Sequence, residues 1–537
     1  MRGKFLISVA IPAVLLASCN SQQGSSVSYQ SGPQEMAEAD FVAAPEGAER
    51  YARNDVAAVR TVAQEPVSTF AVDVDTAAYA NVRRFLTQGQ LPPKDAVRAE
   101  ELINYFRYDY PLPTDRTAPF SVTTDVAQTP WNPETRLLRI GLRGYDLSRA
   151  QRPPANLVFL VDVSGSMNEP DKLPLVKRAL GMVADNMKAG DHVSIVVYAG
   201  AAGVVLEPTA SPAEVRAALS GLDAGGSTAG GEGIELAYAM VRRNFREDGV
   251  NRVILASDGD FNVGITDQAQ LEQLIEKNRD DGITLTVLGF GQGNLNDAMM
   301  ESIADKGNGN YAYVDGIDEA RKVLDTELAS TLFTIAKDVK VQVEFNPAAV
   351  RQYRLIGYEN RALREQDFQN DKVDAGDIGA GHQVTAIYEI VPAGAKGWLP
   401  DRHFAANRRP ESEGEGEGEG AGTTRGELAQ VRLRYKLPEG GASRLITRPV
   451  DAGQLRNAPM PHGDLAFAVA VAGFAQKLRG DDLLGDWGYA DVKRLAGMQW
   501  GFSQQAWWRS EFLRLVDLAD SRTRTASAER GEEDRAL

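Results

Sequence analysis

The chain has 537 residues, with 74 Asp and Glu against 58 Lys and Arg, four His, one Cys and a formal net charge of −16. Hydrophobic residues make up 43% and charged residues 25%, which permits large cores, excludes wholesale disorder and, at about 150 residues per domain, accommodates roughly three or four domains. The acidic excess argues against nucleic acid as a partner, because binding phosphates requires a basic surface, and a single cysteine excludes any disulfide within the chain.

Arg2 and Lys4 form a basic start, Phe5 to Leu16 is mostly apolar, and Leu16-Ala17-Ser18-Cys19 follows. The apolar run is shorter than the ~20 residues of a membrane span, so residues 1–18 read as a signal peptide. Leu-Ala-Ser-Cys resembles a bacterial lipobox, which implies cleavage before Cys19 and lipidation of its thiol. Asn20 stands where an aspartate would resemble an inner-membrane retention signal. The resemblance therefore implies an anchor in the outer membrane, or otherwise on the periplasmic side of the inner membrane. Residues 19–66 are rich in Ser, Gln, Gly, Ala and Glu with little apolar periodicity, and read as a flexible tether.

Order begins in residues 67–118. Thr69 to Thr76 reads as a short strand. Ala77 to Gln88 reads as a helix with Tyr79, Val82, Phe85 and Leu86 on one face, and a second helix is predicted over Ala96 to Tyr108. Asp73-Val74-Asp75-Thr76 resembles the first motif of haloacid-dehalogenase-like phosphatases, with the Thr displaced from its place in that motif. The favoured reading makes Asp75 or Thr76 the N-cap of the following helix, where a side-chain oxygen satisfies a free backbone N–H. Residues 119–150 alternate apolar and polar, as in Phe120 to Val126 and Arg136 to Arg143, which predicts antiparallel strands with one wet face.

From Asn156 the pattern becomes strand–helix repeats through residues 151–332. Leu157 to Val161 is an unbroken apolar run, as in a central strand covered on both faces. Further strands are predicted at His192–Tyr198, Val204–Glu207, Arg252–Ser257, Thr284–Phe290 and Tyr311–Val314. Helices are predicted at Lys172–Met187, Pro212–Leu222, Gly233–Phe245, Gln268–Arg279, Asn296–Lys306 and Ile317–Ala329. This alternation specifies an α/β, doubly wound, mostly parallel sheet, whose ligands bind outside the carboxyl ends of the strands.

Three separated segments place oxygens at such strand ends. Asp162, Ser164 and Ser166 follow the first strand, Thr228 lies in a glycine-rich loop, and Asp258 follows the Val253–Ser257 strand. Hard oxygen donors suit Mg²⁺, Mn²⁺ or Ca²⁺, with Mg²⁺ favoured because it readily keeps waters and completes its octahedron with outside oxygens. His192, His382, His403 and His462 are scattered, which argues against zinc or copper. Gly289-Phe290-Gly291-Gln292-Gly293 lacks full nucleotide-loop spacing and reads as a turn.

The Asp-x-Ser-x-Ser, Thr and Asp set resembles the metal-ion-dependent adhesion site of von Willebrand factor type A domains. The resemblance covers about Asn156 to Ala329 and places the metal-ligand roles on Asp162, Ser164, Ser166, Thr228 and Asp258. It implies a divalent cation that binds an acidic group, Asp or Glu, on a partner protein.

Residues 333–450 alternate again, in Val339–Phe345, Gln383–Ile390 and Ala429–Tyr435, so the α/β unit is predicted to be inserted in a β-sandwich. The repeat from Glu413 to Gly420 reads as a loop with a weak claim to calcium. Residues 451–520 form a helical region in which Leu465 to Leu478 is a buried helix, and 521–537 read as a disordered tail. Phe70 to Thr76, Tyr79 to Leu86 and Asn104-Tyr105-Phe106 ahead of a type A domain, with a β-rich segment and helical tail behind it, resemble bacterial YfbK-like lipoproteins. The expected function is metal-dependent protein binding in the cell envelope without enzymatic activity. The alternatives are a metal-dependent hydrolase or phosphatase using Asp73 and Asp75 or the Asp162 site, and a structural envelope scaffold.

Overall fold

The structure, a computed structural model, describes residues 49–225, 230–259, 268–327, 330, 332–400, 426–497 and 505–536. The segment read as a signal peptide, Cys19, most of the segment read as a tether, Thr228 and the Glu413 to Gly420 repeat lie outside the described residues.

The elements run in this order: β1 (Arg60–Thr61), β2 (Val67–Ala71), α1 (Ala77–Thr87), α2 (Ala99–Asn104), β3 (Phe120–Gln128) and β4 (Arg136–Gly144). The α/β unit follows as β5 (Ala155–Asp162), α3 (Leu173–Asp185), β6 (His192–Tyr198), β7 (Ala202–Thr209), α4 (Pro212–Ser220), α5 (Gly230–Arg243), β8 (Val250–Ser257), α6 (Gln268–Asp280), β9 (Thr284–Phe290), α7 (Asp297–Lys306), β10 (Tyr311–Val314) and α8 (Ile317–Arg321). Next come β11 (Thr334–Phe345), β12 (Val350–Ile356), β13 (Ala362–Leu363), β14 (Ile378–Gly379), β15 (Gln383–Pro392), β16 (Glu427–Lys436) and β17 (Arg444–Asp451). Helices α9 (Gly463–Arg479), α10 (Tyr489–Ala496) and α11 (Ala506–Ala536) close the chain.

The α/β unit holds a sheet in the order β10-β9-β8-β5-β6-β7, parallel except for the β6–β7 pair. Every residue of β5 is buried. Alternate side chains face opposite layers: Leu157, Phe159 and Val161 join α3 residues Val176, Leu180 and Val183 in one core, whereas Val158 and Leu160 join Ile234, Val241, Ile275 and Ile303 in another. Each such fully buried aliphatic side chain stabilises the fold by about 1.5–3 kcal/mol. This is why the run of apolar residues, rather than an alternating one, marks the central strand.

Strands from before and after this unit pair in common antiparallel sheets. One runs β1-β12-β15-β4-β3 and the other β13-β2-β11-β16-β17, with β14 on β11. Their inner faces meet through aromatics: Phe345 stacks on Tyr353 at 4.4 Å and meets Tyr388 edge-on at 5.3 Å. The tyrosine hydroxyl of 388 donates to Ser68 Oγ at 2.9 Å. The doubly wound sheet is thus inserted in a β-sandwich. Helices α1, α2, α9, α10 and α11 form a further core over Ala127, Leu137, Ile356 and Ile387, on the sandwich's other side. Gly473 of α9 is required there, since a Cβ would stand 2.1 Å from the Trp487 ring.

Four expectations need correction. The second helix is a 3-10 turn at Lys94–Ala96 followed by the six-residue α2, with Arg98 between them in extended conformation. The tether ends earlier than Pro66, because residues from Glu49 onward are held: β1 adds to β12, and Val62 is buried. A two-residue strand recruited by backbone pairing leaves no apolar alternation to read. Helix α8 ends at Arg321 and passes into a single π turn at Lys322–Thr326. Finally, 521–536 is no disordered tail but continues α11, with Arg524 Nε donating to Asp520 Oδ1 at 3.1 Å one turn back. Residues 521–528 are mostly exposed, a polar extension of a helix anchored by buried Phe512, Leu515 and Val516.

Candidate metal centre at the ends of β5 and β8

Strands β5 and β8 pair in parallel with Val161 opposite Ala256, so Asp162 and Ser257 follow side by side at the carboxyl edge. Asp162 Oδ1 accepts the backbone N–H of Ser164 at 2.9 Å, and Ser257 Oγ donates to Asp162 Oδ2 at 3.3 Å. The chain then turns through a 3-10 segment at Gly165–Asn168, leaving Ser164 Oγ and Ser166 Oγ 3.1 Å apart. Asp258 arrives beside them from β8, and the Ser166 hydroxyl bonds to its carboxylate. Gly259 follows at φ +94°, where a Cβ would stand 2.5 Å from the Asn296 nitrogen, so only glycine lets the β8 loop close against the start of α7.

Four of the five expected ligands, Asp162, Ser164, Ser166 and Asp258, are therefore brought together. Thr228 lies outside the described residues. Gly225, three positions earlier, donates its N–H to the Val163 carbonyl at 2.8 Å, which ties the start of the glycine-rich loop to the Asp162 turn.

The electrostatics distinguish the two aspartates. Burial pushes Asp162 up to about 6, the nearby Asp258 charge acts in the same direction, and hydrogen bonds from Ser164 pull against both. Asp258 is also raised by burial, but Lys172 and its hydrogen bonds outweigh that and hold it below the usual carboxylate value. Lys172 Nζ lies 2.9 Å from Asp258 Oδ2 and 3.4 Å from Asn294 Oδ1. Sequence reading missed Lys172, Ser257 and Asn294; a lysine at a helix start and an asparagine in a glycine-rich turn carry no signal that distinguishes them from surface residues.

Two buried carboxylates and two hydroxyls at one strand edge fit a hard divalent cation. Asp162, Ser164, Ser166 and Asp258 would hold the ion, and it would supply an open position for an outside oxygen.

Asp73 and Asp75 sit elsewhere, and neither caps α1: Thr76 is the N-cap residue and makes no side-chain cap bond. Both aspartates are buried in the seam between the sandwich and the α/β unit. Asp75 Oδ1 accepts the Tyr311 N–H at 2.8 Å, and Asp73 Oδ2 lies 3.1 Å from Arg361 Nε. Arg361 also reaches Asp75 and Glu301, each at 3.4 Å, and pairs with Asp305. Arg98 pairs with Asp297 at 2.5 Å and with Glu101. Asp297, Glu301 and Asp305 recur every fourth residue on α7, one helical face directed at this seam. Partners so far apart in the chain are why a local cap was the expected role.

Comparison with known proteins agrees with this fold. Residues 156–326 match the von Willebrand factor type A domain, residues 45–139 match a family described as von Willebrand factor, and residues 330–521 match the C-terminal region of the uncharacterized protein YfbK. Fold and family match thus define a von Willebrand factor type A domain protein, a class that serves generally in protein–protein interaction or adhesion, commonly binds a divalent metal and is generally not enzymatic. The chain is 43% identical over 496 residues to uncharacterized YfbK of Escherichia coli strain K12, covering 91% of this chain and 84% of that one. It belongs to the YfbK family. It is also 25% identical over 260 residues to inter-alpha-trypsin inhibitor heavy chain H3 of Mesocricetus auratus, covering 44% of this chain and 29% of that one. Among solved structures it is similar to a von Willebrand factor type A protein from Catenulispora acidiphila, with a TM-score of 0.40, 17% identity, and coverage of 73% of this chain and 88% of that one.

Proposed function

We propose that the protein is a lipid-anchored, metal-dependent protein-binding protein of the bacterial envelope, without enzymatic activity. The observation that carries the reading is the joining of Asp162, Ser164 and Ser166 after β5 with Asp258 after β8 at one sheet edge. In this reading Thr228 completes the ligand set, Mg²⁺ is the resident ion with Mn²⁺ or Ca²⁺ able to replace it, and an Asp or Glu of a partner protein takes the open position. Lipid on Cys19 anchors the chain in the outer membrane. Among the described residues no helix is long and apolar enough to cross a membrane. Asp73 and Asp75, held by Arg361 in a buried seam, are not offered to a phosphoester.

Capture from envelope extract tests this reading, with the chain immobilised in Mg²⁺ or in EDTA beside an Asp162→Ala control. Proteins retained in Mg²⁺, released by chelation and absent from the control support it. Recovery indifferent to both metal and Asp162 overturns it in favour of a metal-independent scaffold.

A further inference from the structure

Lys172 stands at the entry to α3 and is almost wholly withdrawn from solvent, at 6% exposure. Its ion pair with Asp258 is buried on both sides, with side-chain exposures of 8% and 0%. The stem is walled by the loop after β9: a Cβ on Gly291, which adopts φ +70°, would stand 2.4 Å from Lys172 Cε and 2.5 Å from Cγ. Glycine at 291 therefore leaves the slot in which the lysine lies, and Asn294 of the same loop accepts from its ammonium. Three chain segments cooperate to place one fixed positive charge against one of the two site carboxylates.

We infer that Lys172 makes the site take a divalent cation together with an anionic oxygen, rather than the cation alone. The inference rests on the metal reading above. Among the described residues of the site, Asp162 and Asp258 supply two negative charges, Ser164 and Ser166 supply none, and Lys172 cancels one. A divalent cation added to this buried group leaves a net single positive charge, which is unfavourable away from water. A carboxylate from outside restores neutrality. Without the lysine, the two aspartates alone balance the cation and no outside anion is needed. Lys172 thus lowers affinity for the bare ion and links ion to anion, each tightening the other by the same factor.

The test titrates the purified full chain with Mn²⁺, followed by isothermal calorimetry and electron paramagnetic resonance, with and without saturating acetate. Wild type, Lys172→Met, Lys172→Gln and Asp162→Ala are compared, their folding checked by circular dichroism. Acetate is expected to tighten Mn²⁺ binding to wild type by about tenfold, within the ordinary range of coupling between linked ligands. Lys172→Met is expected to bind Mn²⁺ without acetate about tenfold or more tightly than wild type, because a like charge at close range is gone, and to lose the acetate effect. Should the Met variant not fold, Lys172→Gln, which keeps a donor for Asp258, carries the same expectation. Mn²⁺ affinity and acetate effect equal in wild type and the residue-172 variant overturn the inference alone, provided Asp162→Ala abolishes binding. Absence of Mn²⁺ binding from wild type and residue-172 variants alike overturns the metal reading itself.

Discussion

The backbone N–H of Gly293 donates to Glu49 Oε1 at 3.0 Å, while Glu49 Oε2 accepts from the Arg84 guanidinium at 2.7 Å. Arg50 continues the contact, its N–H on the Leu295 carbonyl at 2.9 Å and its own carbonyl accepting from Ala298 at 3.3 Å. The N-terminal segment is thereby laced to the β9–α7 loop, the loop that carries Gly291 and Asn294 to Lys172. A charge-assisted hydrogen bond of this kind contributes about 1.5–3 kcal/mol. Glu49→Ala should therefore raise amide exchange across 291–296 roughly tenfold with the fold intact, as read by hydrogen–deuterium exchange mass spectrometry. Unchanged exchange there would show that the loop holds its shape without the N-terminal segment.

Arg361 is the cation that lets the sandwich and the α/β unit share a buried acidic seam. Replacing it by Met leaves Asp73, Asp75, Glu301 and Asp305 facing one another without their common partner. Removing one partner of a buried ion pair costs about 3–5 kcal/mol, so Arg361→Met should lower stability to urea by that order. A loss below about 1 kcal/mol, the worth of an exposed pair, would mean that the seam is solvated.

Glu100 lies in the same region with its Oε2 buried and without a hydrogen-bond partner. Burial, reinforced by the Glu359 and Asp73 charges, pushes its carboxyl up to about 7. A carboxyl whose pKa is higher in the fold than in the unfolded chain binds its proton more tightly when folded. Stability from this group is therefore full below about pH 4.5 and is lost as pH rises through 7. Glu100→Gln keeps the shape and removes the titration, so it should be more stable than wild type at pH 8 by about 2–3 kcal/mol and nearly equal to it at pH 4. Chemical denaturation at the two pH values measures this; a gap that does not widen with pH would contradict it.

The β5 run and the Asp-x-Ser-x-Ser after it were legible because a strand covered on both faces must be apolar throughout and must end where its polar loop begins. The sandwich was legible from period-two segments on both sides of the α/β unit, although β1 and β13, each two residues long, are too short to show a period. What escaped was cooperation between distant segments. Lys172 looks like surface charge until Gly291 and Asn294 are placed around it, and Asp75 looks like a helix cap until Tyr311 and Arg361 reach it. The four-residue spacing of Asp297, Glu301 and Asp305 drew no reading, because its meaning depends on Arg98 and Arg361, which come from elsewhere in the chain.

The most direct measurement is a calorimetric titration of the full chain with Mg²⁺ and Mn²⁺ in saturating acetate, set beside Asp162→Ala. Wild type should bind one ion per chain, and the variant none, while both melt at the same temperature within a few degrees in EDTA, since β5 stays buried on both faces. Equal ion affinity in wild type and Asp162→Ala, or no ion bound by wild type, would contradict the assignment of this strand edge as a divalent-cation site.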